Sequence, residues 1–80
     1  MMQKYTIMAE GEGRLDIMSR ISMLFLQRHI NVESMSFASV EGGKSRYQVC
    51  AVATDEVIRK VVAQMEHVDG LETIKFELNN

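Results

Sequence analysis

The feature that most constrains this chain is the way its hydrophobic period changes along the sequence. Apolar residues recur at every second position, then at helical spacing, then at every second position through two further segments, then at helical spacing, and finally at every second position again. A period of two fits a strand with one face on a core, and a stripe at i, i+4 and i+7 fits an amphipathic helix. The chain therefore reads strand, helix, strand, strand, helix, strand.

The first strand is "KYTIMA", Lys4 to Ala9, which sets Tyr5, Ile7 and Ala9 against Lys4, Thr6 and Met8 and so carries apolar residues on both faces, as a central strand does. "EGEG", Glu10 to Gly13, reads as a loop, and Ile17, Met18, Ile21, Leu24 and Phe25 then mark a helix over about Arg14 to Arg28. Alternation resumes after "HINV" in "ESMSFASV", with Met35 and Phe37 on one side and Ser34, Ser36 and Ala38 on the other. "EGGKS", Glu41 to Ser45, is a hairpin turn into "RYQVCAVA", Arg46 to Ala53. Thr54 is a helix N-cap, followed by Asp55 and Glu56 in the first turn and by the stripe Val57, Ile58, Val61, Val62, Met65. This second helix runs to His67 and stops before Gly70. "LETIKFEL" closes the chain as a half-buried strand, with Ile74, Phe76 and Leu78 inward and Thr73, Lys75 and Glu77 outward, at a sheet edge.

That order in one domain over residues 1–80 predicts an α+β, ferredoxin-like βαββαβ fold: a four-stranded antiparallel sheet with both helices on one face. A chain this short buries only about 60% of its unfolded surface, so a second subunit would add stability.

Several chemistries fail on residue grounds. A formal net charge of -2 with scattered lysines and arginines leaves no footprint for nucleic acid or an anionic membrane, and an RNA-reading sheet would have only Tyr5 and Tyr47 to stack bases on. Neither an 18-residue apolar run nor a signal-peptide core is present, which predicts a cytoplasmic chain. Cys50 is single, lies in the apolar run "YQVCAVA", and is expected to be a buried, inert thiol. His29 and His67 fall near helix C-termini without metal-ligand spacing, so no metal site is predicted. Arg14 and Asn31 offer the pair an acyl-phosphatase would need, but no phosphate-cradling loop accompanies them.

A binding or regulatory module remains, and two places suit it. The Glu10 to Asp16 segment leads into a helix N-terminus, whose free amides favour a small carboxylate, although Glu10, Glu12 and Asp16 oppose one. The second strand is an edge with no proline and no inward charge to protect it, and a second copy would cap it through a two-fold interface.

Two longer stretches carry a resemblance. "ISMLFLQRHINVESMSFA" follows a pattern of apolar helix end, Phe, Gln-Arg, then Asn-Ile/Val-Glu-Ser-Leu/Met, and "DEVIRKVVAQMEHVDGLETIKF" follows a second helix, an apolar-Asp turn and a last strand. On these stretches, which span most of its length, the chain resembles the ACT domain, a small amino-acid-responsive regulatory module. Within it the chain is most similar to the short, isozyme II-like small subunits of acetohydroxyacid synthase (acetolactate synthase). The resemblance implies a homodimer without catalytic residues that activates a catalytic large subunit in branched-chain amino acid biosynthesis. Thiamine diphosphate, Mg and FAD would belong to that partner, and this chain would bind no cofactor. A free-standing ACT-domain sensor acting on another enzyme or a transcription factor is the alternative.

The resemblance also implies an amino-acid effector site between two such domains, built from the segment before helix one and the start of the other subunit's second strand. Here those are Glu10, Gly13, Asp16 and Met18 together with Ile30, Asn31 and Val32. Counting without gaps puts the ligand-loop glycine of the family at Asp16 and its leucine at Met18, whereas a shifted register uses Gly13 and Leu15 and finds Glu10 in place of an asparagine. The dimer contacts would fall on Asn31, Glu33, Met35 and Phe37. In either register an acid stands where a carboxylate should dock. A repulsion of only ~1 kcal/mol weakens binding severalfold, so a weak or absent valine response is expected.

Overall fold

The structure is a computed structural model that describes residues 1–79. Strand β1 spans Gln3–Glu12, helix α1 Leu15–Gln27, strand β2 Asn31–Val40, strand β3 Lys44–Ala53, helix α2 Asp55–Met65 and strand β4 Leu71–Leu78. The sheet order is β2-β3-β1-β4, with every neighbouring pair antiparallel. The predicted fold class, the central place of β1 and the edge places of β2 and β4 are all observed.

The strand period sets the core. Tyr5, Ile7 and Ala9 of β1 and Tyr47, Val49, Ala51 and Ala53 of β3 point to the same side of the sheet and are buried. There they meet Ile17, Ile21 and Phe25 of α1 and Ile58, Val61, Val62 and Met65 of α2. Both helices thus lie on one face, and the opposite face of the sheet carries Thr6, Met8, Gln48 and Cys50, half-buried, beside exposed Arg46.

The element ends have local causes. Thr54 caps α2 by accepting from the Val57 amide at 3.3 Å. The exit of α1, which has neither glycine nor proline, is a Schellman turn: the Ile30 amide donates to the Phe25 carbonyl at 3.2 Å and the His29 amide to the Leu26 carbonyl at 3.0 Å. His29 holds the left-handed position of that turn at φ 55°, which side chains other than glycine or asparagine rarely occupy. At the β2–β3 connection Gly42 and Gly43, at φ 77° and 74°, supply the left-handed steps of the Glu41–Gly43 turn.

One expectation is corrected. "EGEG" is not a loop: β1 runs on to Glu12, with Gly11 paired to Ser45 of β3 and to Leu71 of β4. Polar, glycine-bearing sequence stays in the ladder here because strands stand on both sides to take its backbone hydrogen bonds.

Candidate functional site

The connection from β1 to α1 is only Gly13 and Arg14, and three groups pin it. At the end of β1, Gly11 passes so close to β4 that an added Cβ would lie 2.1 Å from the Gly70 carbonyl oxygen. The same carbonyl accepts the Glu12 amide at 2.9 Å. The Tyr47 hydroxyl reaches in from β3, 2.5 Å from the Glu12 carbonyl oxygen and 3.2 Å from that of Arg14, and the Arg14 amide donates to it at 3.3 Å. The Arg14 guanidinium then gathers the acids. Its Nε donates to Asp16 and one terminal nitrogen to Glu12, both at 3.0 Å, while the other donates to the Asp69 carbonyl at 3.2 Å. Partial burial draws the Arg14 pKa down, but Asp16, Glu12 and Asp69 outweigh it and hold the group charged more firmly than usual.

The predicted effector residues fall in two separate groups. Glu10 lies on the uncovered face of β1, with its carboxylate held by Arg46 at 3.0 Å. Gly13 sits in the turn, Asp16 in the first turn of α1 against Arg14 and, at 3.7 Å, Arg20, and Met18 half-buried against the core. Ile30, Asn31 and Val32 lie beyond the other end of α1, a helix of 13 residues and hence about 20 Å long. Within one chain the two groups do not meet. Arg14 and Asn31, the pair considered for acyl-phosphatase chemistry, are kept apart by the same helix, and Arg14 is already engaged by three acids.

The β2 edge matches its sequence pattern in part. Met35 and Phe37 stand opposite Val49 and Tyr47 on the helix side, and Ser34, Ser36 and Ala38 opposite Cys50, Gln48 and Arg46 on the uncovered side. A bulge between Val32 and Ser34 breaks the alternation, so Asn31 falls opposite Val52 and Glu33 reaches Lys4 at 3.1 Å across the uncovered face. Asn31 and Glu33 therefore do not share a face with Met35 and Phe37. On the helix side Ser22, Leu26, Ile30, Val32 and Met35 line an open groove of about 310 Å³ between α1 and the edge. On the opposite edge Arg59 of α2 lies over the Phe76 ring of β4, 5.4 Å from its centre, while Leu78 at the end of that strand is exposed.

Cys50 is a second correction. It is half-buried on the uncovered face, because alternation sends its neighbours Val49 and Ala51 into the core. Hydrogen bonds from Ser34 and then Thr6 to its sulfur lower the thiol pKa against the opposing effect of burial. His29 and His67 are exposed just past the two helices, as their positions predicted. Among the described residues no three of His, Cys, Asp and Glu cluster as a metal site would need, and no helix is long and apolar enough to cross a membrane. Sequence reasoning missed the role of Tyr47, although alternation with Val49 and Ala51 already turned it inward, toward α1.

No protein-family description matches this sequence, and no curated protein sequence matches it. Solved structures do. The C-terminal domain of the MgtC protein from Mycobacterium tuberculosis superposes with a TM-score of 0.82 at 10% identity, covering 98% of this chain and 88% of that one. The ACT domain of GTP pyrophosphokinase from Chlorobium tepidum gives 0.81 at 12% identity, over 96% of this chain and 100% of that one. The acetolactate synthase small subunit from Thermotoga maritima gives 0.78 at 18% identity over 91% of this chain, which spans 46% of that one. At such low identities the likeness is one of fold alone, and that fold is the ferredoxin-like βαββαβ architecture of an ACT domain.

Proposed function

We propose that this chain is a non-catalytic regulatory subunit of acetolactate synthase, which dimerises along β2 and activates a separate thiamine-diphosphate-dependent catalytic chain in branched-chain amino acid biosynthesis. The observation that carries the proposal is the asymmetry of the two sheet edges. Arg59 covers Phe76 in the middle of β4 and leaves Leu78 exposed, at 42%, only at the end of that strand, whereas β2 leaves Phe37 36% exposed along its length beside an open apolar groove. The fold likeness to an acetolactate synthase small subunit and the motif resemblance in "QRHINVES" support the assignment of partner.

Helix α1 suits a symmetric neighbour. Leu15, Ser19, Ser22 and Leu26 share one face, with Leu15 and Leu26 exposed at 79% and 65%. Their spacing reads the same in both directions, so an antiparallel copy sets each leucine against the other and serine against serine. A two-fold axis through the β2 edge requires this kind of self-complementarity. Antiparallel pairing of β2 also carries the Ile30–Val32 end of one subunit toward the Gly13–Met18 end of the other. In this reading the effector residues come together only between subunits.

Valine response is expected to be weak. The acids at this end are neutralised by Arg14, Arg46 and Arg20, which removes much of the repulsion, but the Glu12 carbonyl and the Tyr47 hydroxyl already occupy the Arg14 amide. The decisive experiment mixes the purified chain with its cognate large subunit. Acetolactate formation should rise and the two should co-elute; no change in rate and no co-elution would reject the assignment. The alternative, a free-standing sensor, predicts tight calorimetric binding of one amino acid by the isolated chain.

A further inference from the structure

We infer that Tyr47 couples the β2 edge to the β1–α1 turn, so that whatever packs on Phe37 sets which backbone carbonyl the Tyr47 hydroxyl holds. Two observations meet in this one side chain. Its ring, buried to 1% exposure, meets the Phe37 ring in a T-shaped contact, 5.1 Å between centres and 62° between planes. Phe37 is the exposed end of the contact and lies on the edge strand.

The hydroxyl supplies the second state. It stands within 3.2 Å of two carbonyl oxygens, those of Glu12 and Arg14, and has one proton to give. Donating to Glu12 leaves the oxygen free to accept at 3.3 Å from the Arg14 amide, which the Glu12 carbonyl also takes at 3.1 Å, and leaves the Arg14 carbonyl to the Ile17 amide that begins α1. Donating to Arg14 instead shares that carbonyl with the Ile17 amide. A small tilt of the ring selects between these arrangements, and Phe37 is the neighbour whose position an incoming partner changes. A discrete element biased from two places is what coupling between sites requires.

The inference rests on the dimer proposal only for its trigger, and the coupling itself lies within one chain. It is tested by amide hydrogen exchange in Phe37→Ala, Tyr47→Phe and the double variant. Phe37→Ala should speed exchange at Arg14 and Ile17 by about tenfold relative to Ile7 in the centre of β1, Tyr47→Phe should do the same, and the double variant should add nothing further. Turn amides that ignore Phe37→Ala, or effects that simply multiply in the double variant, would overturn it. If Tyr47→Phe does not fold, Phe37→Leu and Phe37→Ala alone must still grade the Arg14 exchange rate in that order. Sedimentation separates the two proposals. A chain that is monomeric at every concentration but keeps the coupling defeats only the dimer, and a dimer whose turn is blind to Phe37 defeats only the coupling.

Discussion

Substituting Gly11 by alanine should be among the most damaging single-methyl changes in this domain, and steric in origin. The added Cβ would sit 2.1 Å from the Gly70 carbonyl oxygen and 2.8 Å from Leu71 Cα, both backbone atoms that no rotamer change can move aside. Ordinary contact begins at 3.4 Å, so the start of β4 must withdraw by at least about 1.3 Å. Withdrawal lengthens the 2.9 Å hydrogen bond from the Glu12 amide to the Gly70 carbonyl beyond useful range. The lost bond costs about 1 kcal/mol and forced repacking a further 1 to 3, together about 2 to 4 kcal/mol. A domain of this size holds about 4 to 12 kcal/mol, so the variant would lose a large fraction of its stability. With a urea m-value of about 1 kcal/mol/M, the unfolding midpoint falls by about 2 to 4 M. Gly42→Ala is the control, because φ is +77° there and nothing lies within 4 Å of the added methyl. It should cost only the left-handed strain, about 1 kcal/mol. A Gly11→Ala chain within 1 kcal/mol of wild type would refute the close approach of β1 and β4 and restore "EGEG" as a loop.

His29→Gly should stabilise the chain by about 1 kcal/mol in the same urea assay, since glycine takes the left-handed step of the Schellman turn without strain. Ser36→Lys puts a charge on the uncovered side of the β2 edge and should convert a dimer to monomer in sedimentation while shifting the monomer's stability by less than about 0.5 kcal/mol. The Cys50 thiol has its folded-state pKa below the unfolded value through Ser34 and Thr6, so its thiolate favours the fold. The stability advantage over Cys50→Ser should be fully present above the unfolded thiol pKa and vanish as pH falls through the folded one, read from urea midpoints in reducing buffer. Ser34→Ala should move the pH profile of Cys50 alkylation to higher pH.

Much of the fold was legible because it follows from local rules. Alternation in "YTIMA" and "YQVCAVA" names the inward residues of β1 and β3, and the Thr54 cap and the Gly42–Gly43 turn sit where side-chain chemistry places them. The edge position of β2 followed from element order. The candidate site was legible only as a list. Glu10 and Asp16 stand out as acids before a helix N-terminus, and the resemblance joins Asn31 to them, but nothing in the sequence tells that Glu10 is held by Arg46, 36 residues away, or that the bulge after Val32 turns Glu33 away from Met35.

By itself, then, the sequence determined the order of elements, the face each presents to the core and the strands left at the edges. A period of two or of 3.6 is a property of neighbouring residues, and burial of one apolar face admits few assemblies of six such elements. Only the tertiary structure decided how far β1 extends, that Cys50 faces outward half-buried, that Arg14 collects Glu12, Asp16 and Asp69, and that the Tyr47 hydroxyl closes the β1–α1 turn. Apart from the contacts of Arg14 with Glu12 and Asp16, each two positions away, these depend on which group stands opposite across the sheet or beyond a helix. Hydrogen bonds and steric fit are settled within a few ångströms, and the residues that come that close here are in most cases 30 or more positions apart in the chain.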